Sequence, residues 1–163
     1  FCTWNADGGN IYKAMLGAKG VTLQKLTNET GLYQNLIYNL KGDRVVFIRS
    51  KTRAYKEAYN PFYDGSEDEI CWIGSNGGEI NKIDNTSGMY NPHFVKGKDS
   101  RIYLDNNNGD LISVNWEGGD EKQVAHITGI TSYGTIPMKN GKPATTGTCG
   151  TCGTKMFKIG AAK

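Results

Sequence analysis

Alternation of apolar and polar positions marks one strand after another along this chain. The clearest case is 44–49, where Val45, Phe47 and Arg49 point one way and Arg44, Val46 and Ile48 the other. Nearly every position is apolar on both faces, so the pattern predicts an inner strand covered from two sides. Ile102 and Leu104 repeat it further along. Turn residues bracket both strands: Lys41-Gly42-Asp43 and Gly97-Lys98-Asp99 precede them, and Gly77-Gly78 and Gly118-Gly119 supply positive backbone φ for a hairpin two strands later. No window sustains an apolar period near 3.6. The scattered Leu and Ile of 20–40 are interrupted by Thr, Asn and Gly, which predicts very little helix.

These elements recur as a unit. Tyr33 corresponds to Tyr90, Asp43-Arg44 to Asp99 with Arg101, and the strand around Ile70 to that around Leu111; the glycine pairs stand 41 residues apart. A half-copy runs from Gly9-Asn10-Ile11-Tyr12 through Gly17 to Leu23, Leu26 and Thr27. Each copy reads as four short strands, the size of one propeller blade of roughly 40 to 45 residues. The expected fold is therefore all-β: about two full four-stranded blades plus a half-blade over 1–130, with a Gly/Thr/Cys-rich tail over 131–163. A ring of four to eight blades takes roughly 160 to 360 residues, so these blades predict an incomplete propeller. It is expected to be a fragment, to be completed by other copies, or to stack openly through unpaired strand edges.

The tail carries five glycines between 131 and 153 and almost no large apolar residue, which predicts that it lies along another blade or another subunit. Its one apolar strand candidate, 156–159 with Met156, Phe157 and Ile159, is expected to complete the N-terminal half-blade as a closing strand.

Charge adds exclusions. The 163 residues carry 19 Lys and Arg against 16 Asp and Glu, a net charge of +3. Lys51, Arg53 and Lys56 form the densest basic group, and Glu57, Asp64, Glu67, Asp68 and Glu69 follow at once, so no nucleic-acid footprint results. No stretch approaches the ~20 apolar residues of a membrane span, and no signal-peptide architecture is present.

Cysteines stand at 2, 71, 149 and 152, enough for two disulfides. Cys149-Gly150-Thr151-Cys152 is followed by Gly153, not by the histidine of a haem attachment. Zinc would need a second pair or histidines in reach, and a thioredoxin-like role wants the pair opening a helix, whereas 145–153 reads as a Thr/Gly loop. A disulfide within the pair, or pairing of the two thiols with other partners, is expected, and a bond from Cys149 or Cys152 to Cys2 would tie the two ends together; Cys71 reads as a small core residue.

Other local signals give turns and not sites. Asp105-Asn106-Asn107-Asn108-Gly109-Asp110 lacks the glycine position and final glutamate of a calcium loop and reads as a hairpin turn. Gly74-Ser75-Asn76-Gly77 is a turn, and no Gly-x-Ser-x-Gly is present. Asp64, Glu67, Asp68 and Glu69 read as a solvated loop or weak cation site.

The runs Glu69-Ile70-Cys71-Trp72-Ile73, Asn91-Pro92-His93-Phe94-Val95, Arg101-Ile102-Tyr103-Leu104 and 111–122, which ends Trp116-Glu117-Gly118-Gly119-Asp120-Glu121-Lys122, closely resemble the TolB-like β-propeller of bacterial secreted amidohydrolases. The resemblance covers about 9–133 and implies a propeller fold and a secreted or periplasmic location. In that family a metal-dependent amidohydrolase barrel follows the propeller and holds its metal with a His-x-His pair and further ligands. This chain has His93 and His126, 33 residues apart, so no catalytic residue, metal or cofactor is expected in it.

The functional expectation is a non-catalytic extracytoplasmic binding or structural module. It would form a homo-oligomer or polymer, or pack with other propeller-containing chains, through open edges and an aromatic loop bearing Tyr55, Tyr59, Phe62 and Tyr63. The alternative is the propeller portion of a larger metal-dependent amidohydrolase.

Overall fold

The computed structural model describes residues 1–5, 8–50, 68–137, 143–149 and 151–159. Among them the chain is entirely β, with thirteen strands in four antiparallel sheets and no helix. It divides into two compact units at Ser87/Gly88. The division falls between the two repeat copies, so the last 33 residues group with the second copy and not apart from both.

In the first unit a hairpin of β1 (Tyr12–Gly17) and β2 (Gly20–Lys25) precedes a four-stranded sheet of β3 (Leu32–Tyr38), β4 (Arg44–Ser50), β5 (Glu69–Gly74) and β6 (Asn81–Lys82), ordered as in the sequence. The inner-strand pattern of β4 holds: Val45 lies opposite Ile73 and Phe47 opposite Cys71 on one face, with Val46 opposite Trp72 and Ile48 opposite Ile70 on the other. The first face carries the core. Tyr33, Val45, Phe47, Cys71 and Ile73 pack with Ile11 and Leu26, and Phe47 meets Tyr33 edge-on at 5.4 Å between ring centroids. The residues 1–5 run antiparallel to the start of β1, Thr3 N–H donating to Asn10 at 2.9 Å and Tyr12 N–H to Phe1 at 2.8 Å. That approach requires Gly9, where a Cβ would stand 1.5 Å from the Thr3 carbonyl oxygen.

Asparagine side chains shape the turns, each standing in for a backbone acceptor. Asn39 Oδ1 accepts from the N–H groups of Asp43 and Arg44, both at 3.1 Å, and so closes the expected 41–43 turn. Asn106 does the same for Asn108 and Asp110, and Asn115 for Glu117 and Gly119. The first glycine pair has positive φ at both members, Gly77 (93°) and Gly78 (121°), whereas in the second copy Gly118 (83°) and Asp120 (48°) take that role.

The second unit repeats the four-stranded sheet as β7 (Met89–His93), β8 (Ile102–Asn106), β9 (Asp110–Val114) and β10 (Lys122–His126). The first strand of each copy carries a register shift with an asparagine at positive φ beside it, Asn35 (52°) in β3 and Asn91 (54°) in β7. These are bulges, and asparagine is the non-glycine residue that tolerates them best.

The tail departs from its expected form. β11 (Ile130–Pro137), β12 (Pro143–Cys149) and β13 (Lys155–Ile159) make a three-stranded antiparallel sheet of their own. Thr- and Gly-rich sequence forms it because ladder hydrogen bonds and β-branched Thr suit a pleated sheet even where apolar alternation is absent. The strand candidate at 156–159 exists as β13, but it pairs with β12, Thr145 facing Lys158 and Gly147 facing Met156, and not with the N-terminal half-blade. Met156 packs against the Tyr103–Leu111 cluster of its own unit.

Candidate functional site

The β1–β2 hairpin has two unlike faces. Its register sets Ala14 opposite Leu23 and Leu16 opposite Val21, so these four side chains share one face. That face is apolar and uncovered: Leu16 is 85% exposed, Val21 60% and Leu23 57%. The opposite face is tied down by polar contacts. Lys13 Nζ donates to the Ser75 carbonyl and to Asn76 Oδ1, both at 3.2 Å, and Gln24 Nε2 donates to the Asn76 carbonyl at 2.9 Å. The glycine-shaped turn between β5 and β6 thus fixes the hairpin from beneath and leaves its apolar side outward. At the base, Phe1 stacks on Tyr12 at 5.7 Å. The signal for this face was present in the sequence as Leu16, Val21 and Leu23 at alternating positions of the half-copy.

A polar cleft of about 310 Å³ in the first unit is lined by Asn28, Glu29, Arg49, Gly78, Glu79 and Ile80. Arg49 is already committed. Its Nη2 and Nε donate to Glu69 Oε2 at 2.8 and 3.2 Å, and its Nη1 lies 3.5 Å from Glu29. Lys82 Nζ stands 3.3 Å from the other Glu69 oxygen. Burial pushes the Glu69 carboxyl up, but the hydrogen bonds from Arg49 and Lys82 outweigh it and hold it below the usual carboxylate range. Glu69 is therefore an ion-paired strand residue and not part of a solvated acidic loop. Asp68 accepts a hydrogen bond from the Ser50 hydroxyl; Asp64 and Glu67 lie outside the described residues. So do Tyr55, Tyr59, Phe62 and Tyr63 of the expected contact loop.

The two histidines sit on the opposite edge strands of one sheet, β7 and β10, three strand spacings or about 14 Å apart. They cannot share a metal ion. His93 is buried, its Nδ1 2.9 Å from the Asn91 carbonyl and its ring 5.9 Å from that of Tyr103. His126 is half exposed, with Nδ1 2.7 Å from Asp110 Oδ1 and Nε2 3.3 Å from Thr128 Oγ1. An acid–imidazole–hydroxyl line of this kind has the order of a nucleophilic triad. Here, however, both Thr128 and His126 are exposed, and the Asp110 carboxylate also accepts from Asn106 and Gln123. The group ties β9 to β10. Among the described residues no three His, Cys, Asp or Glu side chains converge as metal ligands.

All four cysteines are thiols in the structure, so none of the pairings expected of Cys2, Cys149 and Cys152 is present in it. Cys71 is fully buried on β5, and burial pushes its thiol up to about 11. Cys149 ends β12 and Cys152 stands in the turn that leads to β13.

No family model matches the chain, and no curated protein matches it. Among solved structures it is similar to oligogalacturonate lyase from Vibrio parahaemolyticus, a β-propeller protein, with a TM-score of 0.61 and 16% identity. The match covers 91% of this chain and 44% of that one, so the chain spans less than half the length of that protein. At this identity the likeness is one of fold, a propeller-like all-β architecture. It does not reach the amidohydrolase family named by the resemblance.

Proposed function

We propose that this chain is a non-catalytic, extracytoplasmic binding and structural module that associates with further propeller sheets, a second copy of itself foremost. The observation that carries this reading is the uncovered face of Ala14, Leu16, Val21 and Leu23. Every sheet in a propeller packs face to face with its neighbours, and a two-stranded hairpin with an apolar outer face is a sheet that lacks its neighbour. Burying each of the three large side chains contributes about 1.5 to 3 kcal/mol, enough in sum to oppose the entropic cost of association. Beyond Tyr12, whose backbone pairs with Phe1, the described residues place no third strand beside β1 and β2, and these edges add backbone donors and acceptors for an incoming strand.

Hydrogen exchange of the β1 and β2 amides at two protein concentrations tests this. Protection that rises with concentration is the expected result; equal exchange in dilute and concentrated samples contradicts it.

A second reading is the propeller portion of a larger enzyme, which is supported by the likeness to 44% of the length of oligogalacturonate lyase. The apolar face would then be covered from within one polypeptide. The intact mass of the native protein separates the two readings: a mass equal to that of these residues removes the second.

A further inference from the structure

The β12–β13 turn is built around two sulfurs. Cys149 N–H donates to the Thr154 carbonyl at 3.0 Å and Gly153 N–H to the Cys149 carbonyl at 2.9 Å. Gly153 takes a φ of 68°, a left-handed conformation that lets the chain reverse directly after the second cysteine. These two backbone bonds close one tight reversal that holds Cys149 and Cys152, three positions apart. Cys152 Sγ also lies 3.1 Å from Thr154 Oγ1 and is exposed to solvent, while Cys149 is half buried.

We propose that Cys149 and Cys152 form a dithiol that exchanges with accessible disulfides of small thiols, Cys152 attacking and Cys149 resolving. Such chemistry ordinarily draws on a helix N-terminus to favour the thiolate. In this turn the same task falls to local donors. The Thr154 hydroxyl, then the Thr154 backbone N–H and the Cys149 side chain, hold the Cys152 thiol below its ordinary range. Two sulfurs suffice for exchange, whereas a closed metal site needs three or more ligands, and no such group converges among the described residues.

The step balances. The Cys152 thiolate attacks one sulfur of the substrate disulfide, whose S–S bond breaks and releases one thiolate; a mixed disulfide remains on Cys152. Cys149 then gives up its proton to the released thiolate and attacks the Cys152 sulfur, which expels the second thiolate. The substrate disulfide is reduced by two electrons to two thiols, and the dithiol is oxidised to a Cys149–Cys152 disulfide. Cys71 takes no part, since it is buried and its thiol is pushed up.

The test is peptide mapping and mass measurement of the full chain after reaction with oxidised glutathione. The intact chain should end with a Cys149–Cys152 disulfide and no retained glutathione. Cys149→Ser should keep one glutathionyl group on Cys152, and Cys152→Ser should react roughly tenfold more slowly at neutral pH. Thr154→Val should move the pH profile of the reaction upward while leaving its high-pH plateau unchanged, which a purely structural role for Thr154 would not do. Equal rates for Cys152→Ser and the intact chain overturn the proposal. So does a stable mixed disulfide on the intact chain, or protection of both thiols by equimolar zinc with release by a chelator, which would make the turn a metal knuckle.

Discussion

Asp110 on β9 stands directly across from His126 on β10, with its carboxylate 2.7 Å from the imidazole Nδ1. Asn106 and Gln123 donate to the same carboxylate. The one carboxylate thus joins the 106–110 turn to the outer strand, with the hydrogen bond from Asn106 foremost in holding its pKa below the usual range.

That shift sets a pH dependence. A carboxyl whose folded pKa is depressed contributes stability that is present above the unfolded pKa and lost as pH falls through the folded one. Asp110→Asn should therefore melt at a lower temperature than the intact chain at neutral pH. The difference should shrink on acidification, as pH falls through and below the ordinary carboxylate range. Thermal melts of the two proteins across that range check it; a difference that stays constant with pH contradicts the assignment.

In the first unit, Glu69 and Glu29 both meet Arg49 but are not equivalent. Glu69 is mostly buried and accepts two hydrogen bonds from the guanidinium, whereas Glu29 is 74% exposed and 3.5 Å away. Glu69→Ala should cost about 1 to 3 kcal/mol, and Glu29→Ala under about 0.5 kcal/mol. Urea denaturation of the two variants gives the comparison, and equal losses would show that the pairing is not what orders β4 and β5 at this end.

Gly9→Ala should detach residues 1–5 from β1. The added Cβ collides with the Thr3 carbonyl carbon and oxygen, both backbone atoms that cannot yield without displacing the arm. Loss of amide protection at Thr3 and Tyr12, with β4 unchanged, is the expected hydrogen-exchange result; full protection at both would show that the arm re-seats elsewhere.

The parts of the fold that announce themselves in the sequence are those where local chemistry and packing agree. β4 and β8 are apolar on both faces and bracketed by turn residues, and the repeat doubles the evidence for each. The tail sheet was not legible because Thr145, Thr146 and Thr148 form a strand through backbone pairing and β-branching, with no apolar alternation to show it. The Cys149–Cys152 turn was hidden for the same reason, since its hairpin depends on β12 and β13. Asn35 and Asn91 bend their strands by bulges that no hydrophobic pattern encodes. The ion-paired state of Glu69 depends on Arg49, 20 residues away, and on Lys82, and so exists only once β4, β5 and β6 are paired.

The apolar face of Ala14, Leu16, Val21 and Leu23 is the centre of this account, and sedimentation velocity tests it most directly. The intact chain should sediment as a concentration-dependent oligomer in the micromolar range. A Leu16→Glu/Leu23→Glu variant should sediment as a monomer and keep the far-UV circular dichroism of the intact chain, since both side chains are exposed in the single chain and their replacement removes no core contact. A monomeric intact chain, or a variant that associates as the intact chain does, would contradict it.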